Sequence, residues 1–384
     1  MIKRVAVIGA TGSVGSSVLD VCRNHRDKLK VTALAAAKDA KNLSRLSEEF
    51  GAEKLCLADK EAITGLPYPE AALLGTKGLI ELAQDPEIDH VVFASSGTAA
   101  IEALQAALKA GKEVSLANKE SIVVAGTWVM PLVQRHGQLR PLDSEHNAIW
   151  QCLSSDEKDG IVPRKIYLTA SGGPFRSWNL ESMKDVTPEM AMKHPVWDMG
   201  AKITVDSATL MNKGIEMIEA MFLFGLAPSQ VEALISPGSF VHGLVEFEDG
   251  CIKMLAGAPD MRLPAAACLF WPERIFPAAD FPRPNLYGRT ITFDQPDEVR
   301  FPALRIAREV MAEGGAYPAL LVGADEVAVD RFMKKDIPFT SISEAVEETI
   351  GSYSGAAPRS LREALEVLEW GRTRCAAVCD AKRQ

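Results

Sequence analysis

Residues 2–15 read IKRVAVIGATGSVG. The first seven, IKRVAVI, form a short apolar, β-branched run and predict a strand over 2–8. Gly9 to Gly15 is rich in Gly, Ser and Thr and predicts a turn. Val14, Val18 and Val21 then recur at helical spacing, which predicts a helix over 14–25. Gly9-x-x-Gly12-x-x-Gly15 thus stands between a strand and a helix. In that position the glycines let the backbone turn tightly and bring N–H groups close to a pyrophosphate, while the helix N-terminus adds positive potential. The context points to dinucleotide binding. A plain tight turn is the other reading of the same glycines.

The pattern repeats outward from this stretch. Strands are predicted at Val31–Ala36, Lys54–Ala58, His90–Ala94 and Glu113–Ala117, and helices at Ala40–Phe50, Gly78–Gln84, Ala99–Ala110 and Ser121–Arg135. Strands apolar almost throughout, alternating with helices, indicate a parallel sheet covered on both faces, an α/β, Rossmann-like domain over 1–150. The pattern then changes. Lys165–Ala170 predicts a strand, Ser171–Pro174 a loop, 208–224 one long helix, and 231–235 and 240–247 strands around a turn. An α+β catalytic domain over 151–271 fits these elements. Residues 272–302 hold many prolines and read as a linker, and from Ala303 to 384 the apolar spacing is that of a C-terminal helical domain. Its clearest helices are Ser343–Ile350 and Pro358–Gly371.

Composition narrows the function. The 384 residues carry 42 basic and 51 acidic side chains, a net charge of −9, which argues against a nucleic-acid binder working through bulk positive charge. A local basic pocket for a phosphorylated small molecule is still permitted. No apolar run approaches the length of a membrane span. The seven cysteines form no CxxC and read as reduced thiols. With no signal or transit segment at the N-terminus, the expected location is the cytoplasm.

Cofactor choice turns on the end of the second strand. An NAD site usually carries an acid there, on the ribose 2′-hydroxyl. Here the strand ends in Ala36-Ala37-Lys38-Asp39, so Lys38 can pair with a 2′-phosphate, favouring NADPH, or be a solvated surface charge. Ala94-Ser95-Ser96-Gly97 closes the fourth strand, where a nucleotide would lie.

Asp143-Ser144-Glu145 is the second informative stretch. If it is extended, residues 143 and 145 project to the same side. Adjacent carboxylates repel unless a cation lies between them, and oxygen-only ligation points to Mg²⁺ or Mn²⁺. A solvated pair is the plainer alternative. A third carboxylate lies in Asp206-Ser-Ala-Thr-Leu-Met-Asn212-Lys213-Gly-Ile-Glu216, which starts like a capped helix and places Asn212, Lys213 and Glu216 on one face. That face is either an exposed salt-bridged surface or part of a site. Ser171-Gly172-Gly173 follows a strand and offers a hydroxyl and free N–H groups, and Ser207, Asn212 and Lys213 add donors. His194-Pro-Val-Trp-Asp-Met-Gly200 has structure breakers within it and at its end, and two large apolar side chains. It reads either as a lid or as a core-packing loop.

In order and spacing, GATGSVG at 9–15, LANKES at 116–121, DSEHNAI at 143–149, SGGPFR at 171–176, HPVWDMG at 194–200, VDSATLMNKGIE at 205–216 and GAPDMR at 257–262 resemble the 1-deoxy-D-xylulose 5-phosphate reductoisomerase family of the non-mevalonate isoprenoid pathway. The likeness runs over essentially the whole chain. It implies an NADPH- and divalent-metal-dependent conversion of 1-deoxy-D-xylulose 5-phosphate, a sugar phosphate, to 2-C-methyl-D-erythritol 4-phosphate by a homodimer. It implies Asp143, Glu145 and Glu216 as metal ligands, with Ser144, Asn212 and Lys213 on the substrate's oxygens. It also implies Ser171, His194, Ser207 and Asn212 as the phosphate pocket, and Trp197 and Met199 as the closing flap. Thr11, Gly12, Ser13, Val14, Asn118 and Glu120 correspond to nucleotide contacts, beside Gly9, Gly15 and Lys38 from the reading above. Lys119 stands between cofactor and substrate sites. Ser144, Glu145 and Lys213 carry the catalytic expectation. Ser236-Pro-Gly-Ser239 departs from the family's His-Pro-Gln-Ser-like run, and Val196 and Asp198 replace its usual Asn and Ser.

The chemistry suits these groups. A cation on three carboxylates can polarise a carbonyl and a neighbouring hydroxyl, and Lys213 can stabilise oxyanion charge. The residues leave open whether the skeleton rearranges by an α-ketol shift or a retro-aldol/aldol route. Two other classes compete. A homoserine or semialdehyde type NADP-linked dehydrogenase shares the start and the second domain, although no cysteine sits in a convincing catalytic segment. An NADPH-binding redox sensor would have no use for three carboxylates.

Overall fold

The computed structural model describes residues 2–66, 72–153, 163–193, 196–197 and 200–382. The chain divides into two compact units. The first takes in 1–121, 129–150 and 260–284, and the second 122–128, 151–259 and 285–384.

The first unit is built on seven parallel strands: β1 (Lys3–Ile8), β2 (Leu29–Ala36), β3 (Lys54–Leu57), β4 (Leu73–Leu74), β5 (His90–Phe93), β6 (Glu113–Leu116) and β7 (Leu139–Pro141). Their order is β4-β3-β2-β1-β5-β6-β7. Val7 pairs with Leu34 of β2 on one side and Val92 of β5 on the other. The order therefore reverses at β1, the place in such sheets where a crevice opens beyond the carboxyl ends of the strands. Helices Ser13–Asn24, Ala40–Phe50, Gly75–Gln84 and Ile101–Lys109 follow β1, β2, β4 and β5. Val5, Val7, Val18, Leu19, Leu34 and Leu43 are among the buried side chains of its core. Burying each contributes about 1.5–3 kcal/mol.

One helix of this core comes from far along the chain. Arg262–Phe270 buries Ala265, Ala266, Cys268 and Leu269 among those same valines and leucines. Its C-terminal carbonyls are met by cations. Lys3 donates to Leu269 O at 2.9 Å and Arg140 to Cys268 O at 2.5 Å, a favourable placement at the negative end of a helix dipole. This corrects the linear division. The catalytic segment does not run unbroken to 271, and the proline-rich stretch 272–302 is no free linker, since 272–284 belong to the first unit and 285–302 to the second.

The second unit holds a sheet of order β11-β10-β8-β9, from β8 (Lys165–Ala170), β9 (Val231–Ile235), β10 (Val241–Glu246) and β11 (Ile252–Ala256). Here β8 and β9 are parallel, and β10 runs antiparallel to both β8 and β11. The edge strand β11 was not expected. Ile252, Lys253 and Met254 are all exposed, so no apolar alternation marks it. Helices Ala303–Glu313, Tyr317–Met333, Ser341–Gly351 and Leu361–Ala381 complete the unit. The single helix expected over 208–224 is two, Ala201–Thr209 and Met211–Phe224. They are separated by Leu210 at φ 64°, a left-handed conformation that ends one helix and starts the next. Asp206 accordingly lies inside the first helix and caps nothing. Among the described residues no helix is long and apolar enough to cross a membrane. All seven cysteines are free thiols, six of them buried.

Candidate active site

The glycine turn leads from β1 into helix Ser13–Asn24. Gly9 has φ 90°, and a Cβ on it would stand 2.5 Å from the backbone of Ala94 and Ser95. A Cβ on Gly15 would stand 2.2 Å from Gly9 O. Both positions therefore require glycine. Gly12 is the helix N-cap and supplies no side-chain cap, so the first-turn N–H groups remain available to an anion. Gly12 and Ser13 are exposed, with Thr11 and Val14 half-buried beside them. Lys38 is exposed just past β2. Its neighbour Asp39 caps helix Ala40–Phe50, accepting from Asn42 N at 3.2 Å and Asn42 Nδ2 at 2.6 Å. The acid beside Lys38 is thus committed to the helix. Beyond β6, Asn118, Lys119 and Glu120 are all buried, at the start of helix Lys119–Val129.

Asp143-Ser144-Glu145 is not extended. Asn147 N donates to Asp143 O at 2.8 Å, which opens helix Ser144–Leu153 on Asp143. Residues 143 and 145 occupy its cap and first turn, so the same-side geometry of a strand does not apply. Asp143 Oδ2 lies 3.0 Å from Lys119 Nζ and 3.4 Å from His146 Nδ1. Burial opposes ionisation of Asp143, but the Lys119 ammonium and His146 outweigh it and hold the carboxyl well below the ordinary range. Ser144 Oγ donates to Glu145 Oε2 at 2.6 Å.

The remaining polar groups lie in the second unit. Asn212 Nδ2 and Lys213 Nζ donate to the two oxygens of Glu216, so the three share a helix face as the spacing requires. That face is no solvated surface, because Lys213 is 3 % and Glu216 1 % exposed. Taking such a pair out of water is costly, and a structural salt bridge gains little by it. The loop after β8 lies against helix Ala201–Thr209, since a Cβ on Gly173 would stand 2.7 Å from Ser207 O. Gly173 N donates to Ser171 Oγ at 3.3 Å. Ser171 and Ser207 are thereby brought into one neighbourhood, a few residues before Asn212.

His194 and Met199 fall outside the described residues, as do Pro195 and Asp198. Val196 and Trp197 are half-buried. One residue escaped the sequence reading. His242 on β10 is 5 % exposed and lies within electrostatic reach of Lys213. Burial pushes its pKa down, and the nearby Lys213 charge acts in the same direction. It stands in VHGLVE, an ordinary strand pattern that gives a histidine no distinction.

Three segments match family descriptions. Residues 5–126 match "1-deoxy-D-xylulose 5-phosphate reductoisomerase", 139–224 its C-terminal domain, and 256–374 the DXP reductoisomerase C-terminal domain. The 1-deoxy-D-xylulose 5-phosphate reductoisomerase of Chlorobium chlorochromatii is 43% identical over 378 residues, covering 96% of this chain and 98% of its own. That of Zymomonas mobilis is 42% identical over 388 residues, covering 99% and 98%. The solved Zymomonas mobilis enzyme in complex with NADPH superposes with a TM-score of 0.91 at 39% identity, over 99% of this chain and all of that one. A DOX-P reductoisomerase in complex with NADPH, fosmidomycin and magnesium superposes at 0.89 with 34% identity, over 99% and 98%. With relatives this similar over nearly its full length, the chain belongs to the 1-deoxy-D-xylulose 5-phosphate reductoisomerase family.

Proposed function

We propose that this protein reduces and isomerises 1-deoxy-D-xylulose 5-phosphate to 2-C-methyl-D-erythritol 4-phosphate, using NADPH and Mg²⁺ or Mn²⁺. The observation that carries the reading is the buried Lys213–Glu216 pair, a charged couple placed where packing has no use for it. Family membership and the glycine turn support it. Asp143, Glu145 and Glu216 offer only carboxylate oxygens, the donor set that suits a hard divalent cation, and together they would hold it. Bound there, the cation supplies Lewis acidity to the substrate's carbonyl and adjacent hydroxyl. Ser144, Asn212 and Lys213 orient those oxygens, and the Lys213 ammonium stabilises the negative charge that develops on them. Ser171, Ser207 and Asn212, with His194, anchor the phosphate away from the reacting carbons, so that binding energy is spent on orientation. Thr11, Gly12, Ser13 and Val14, with Glu120, hold the nucleotide, Asn118 belongs to the same site, and Lys119 serves both sites. NADPH held by these residues would supply hydride for the reduction. Trp197 closes over the site and keeps water out. In the same reading the enzyme is a cytoplasmic homodimer, a state that light scattering on the purified protein measures.

NADPH oxidation with 1-deoxy-D-xylulose 5-phosphate, with and without Mg²⁺ or Mn²⁺, tests the reading. Metal-dependent consumption is expected. Consumption with homoserine or an acyl semialdehyde instead would move the protein to the simpler dehydrogenases.

Two further outcomes are expected. Lys38→Glu replaces a partner for the 2′-phosphate with a repelling charge, and should raise the KM for NADPH about tenfold, the equivalent of about 1.4 kcal/mol, with little change for NADH. Wild-type kinetics favouring NADH would overturn the assignment. Trp197→Ala should raise KM and lower kcat while leaving the melting temperature of the ligand-free protein nearly unchanged. A core-packing Trp would instead cost about 3–5 kcal/mol on truncation, so a melt many degrees lower would sink the flap assignment.

A further inference from the structure

The Asn118 side chain is completely buried, and its hydrogen-bonding capacity is fully used. Nδ2 donates to Ser95 O at 2.8 Å and to Gly97 O at 2.7 Å. Oδ1 accepts from Ser121 N at 2.8 Å and from Ser121 Oγ. A primary amide has two N–H donors and an oxygen with two lone pairs, so these four bonds exhaust it. Nothing of the amide is left to bond a nucleotide.

Those bonds join two turns. Ser95 and Gly97 lie in the turn after β5, Asn118 in the turn after β6, and Ser121 in the first turn of the helix Lys119–Val129 that this second turn opens. On its other side the β5 turn meets the glycine turn, because Ala94 C and Ser95 N stand where a Cβ on Gly9 would be 2.5 Å away. The strands β1, β5 and β6 are successive neighbours in the sheet. The β5 turn is therefore wedged between Gly9 and Asn118. The Ser95 hydroxyl is buried without a hydrogen-bond partner among the described residues, which leaves its carbonyl bond to Asn118 as that residue's polar side-chain tie.

We infer that Asn118 is a positioning residue for the dinucleotide site: its amide staples the β5 turn to the β6 turn and so holds the shape of the Gly9 turn that receives the nucleotide. The inference rests on the reading of residues 9–15 as a dinucleotide site, and it replaces direct contact by the Asn118 side chain with action through Ser95 and Gly97.

Asn118→Asp is the informative change. It keeps the shape and the acceptor for Ser121, removes both donors, and sets a carboxylate against two carbonyl oxygens. Two quantities are measured on the full-length protein without substrate: the Kd for NADPH by fluorescence titration, and hydrogen exchange over residues 95–101 before NADPH is added. The expected result is faster exchange there in the ligand-free variant together with a Kd raised about tenfold or more, the scale for leaving buried acceptors unpaired. In turnover the loss should fall on the KM for NADPH more than on kcat. Ser121→Ala, which removes only one of the four bonds, should shift both quantities in the same direction by less, and it serves if the aspartate variant does not fold. A raised Kd with unchanged exchange would restore direct contact and overturn the inference. Faster exchange with unchanged Kd would overturn it as well, leaving a purely structural staple. Wild-type protein that fails to bind NADPH would overturn the dinucleotide reading, and the inference with it.

Discussion

Glu216→Gln should abolish most turnover while leaving the affinity for NADPH near that of the wild type. The substitution keeps the side chain's shape and removes its charge. If Glu216 is one of three carboxylates on a divalent cation, the loss of a strong ligand falls on the step that the cation assists, and kcat should drop on the order of a hundredfold to a thousandfold. The nucleotide turn at 9–15 belongs to the other compact unit and is built from backbone, so it gains and loses nothing directly. The structure adds a second expectation. Both oxygens of Glu216 accept from Asn212 and Lys213, and a Gln amide must turn a donor toward one of them. It also removes the negative charge that Glu216 sets against the Lys213 ammonium, which is 3 % exposed. Breaking a buried pair from one side costs about 3–5 kcal/mol. A lower melting temperature should therefore accompany the loss of activity. The double variant Lys213→Met/Glu216→Gln should recover part of that stability and none of the turnover. A Mn²⁺ titration separates the two effects. Near wild-type activity of the single variant at limiting Mn²⁺ would remove Glu216 from the ligand set.

The legible parts of this fold were those whose signals are local. Helix Ala40–Phe50 was readable to the residue because a capping acid stands before it and Gly51 after it. Strands Lys165–Ala170 and Val231–Ile235 were equally clear from short apolar runs between breakers. What failed depends on distant partners. Leu210 in a left-handed conformation has no sequence signature, since leucine adopts it only when the surrounding packing holds it there. Helix Arg262–Phe270 is apolar in pattern, but its partners lie some 250 positions earlier in the chain, and nothing local names them. At the site, the spacing of Asn212, Lys213 and Glu216 gave the shared face, whereas its burial came only with the structure. Whether Asp143-Ser-Glu145 is extended stayed open in the sequence, because a helix cap and a strand end look alike over three residues. Asn118 stood in a motif that resembled a nucleotide contact. Only the positions of two carbonyls and one serine reveal that its amide is already spent.

Gly15→Ala should cost both stability and NADPH affinity, and its neighbour Gly12→Ala should separate the two. The added methyl at position 15 would stand 2.2 Å from Gly9 O, 2.9 Å from Ala10 Cα and 3.0 Å from Ala10 C. All three are backbone atoms, so no side chain can swing aside and the turn itself must open. Overpacking of this kind costs typically 1–3 kcal/mol. The same opening moves Gly9, whose own backbone rests against Ala94 and Ser95, and so displaces the N–H groups proposed to receive a pyrophosphate. At position 12 the nearest atom, again Gly9 O, is 3.4 Å from the added methyl, and the residue is exposed. The fold can take that methyl with little strain, but it projects on the open side of the turn, where the nucleotide's phosphates would approach. Gly12→Ala should therefore melt within a few degrees of the wild type and bind NADPH about tenfold more weakly or worse, a loss of about 1.4 kcal/mol or more. Gly15→Ala should melt well below the wild type and lose binding as well. Thermal melts of the ligand-free proteins beside NADPH titrations decide the matter. If Gly12→Ala bound NADPH as the wild type does, the glycines would be serving the turn alone, and the dinucleotide would have to lie elsewhere.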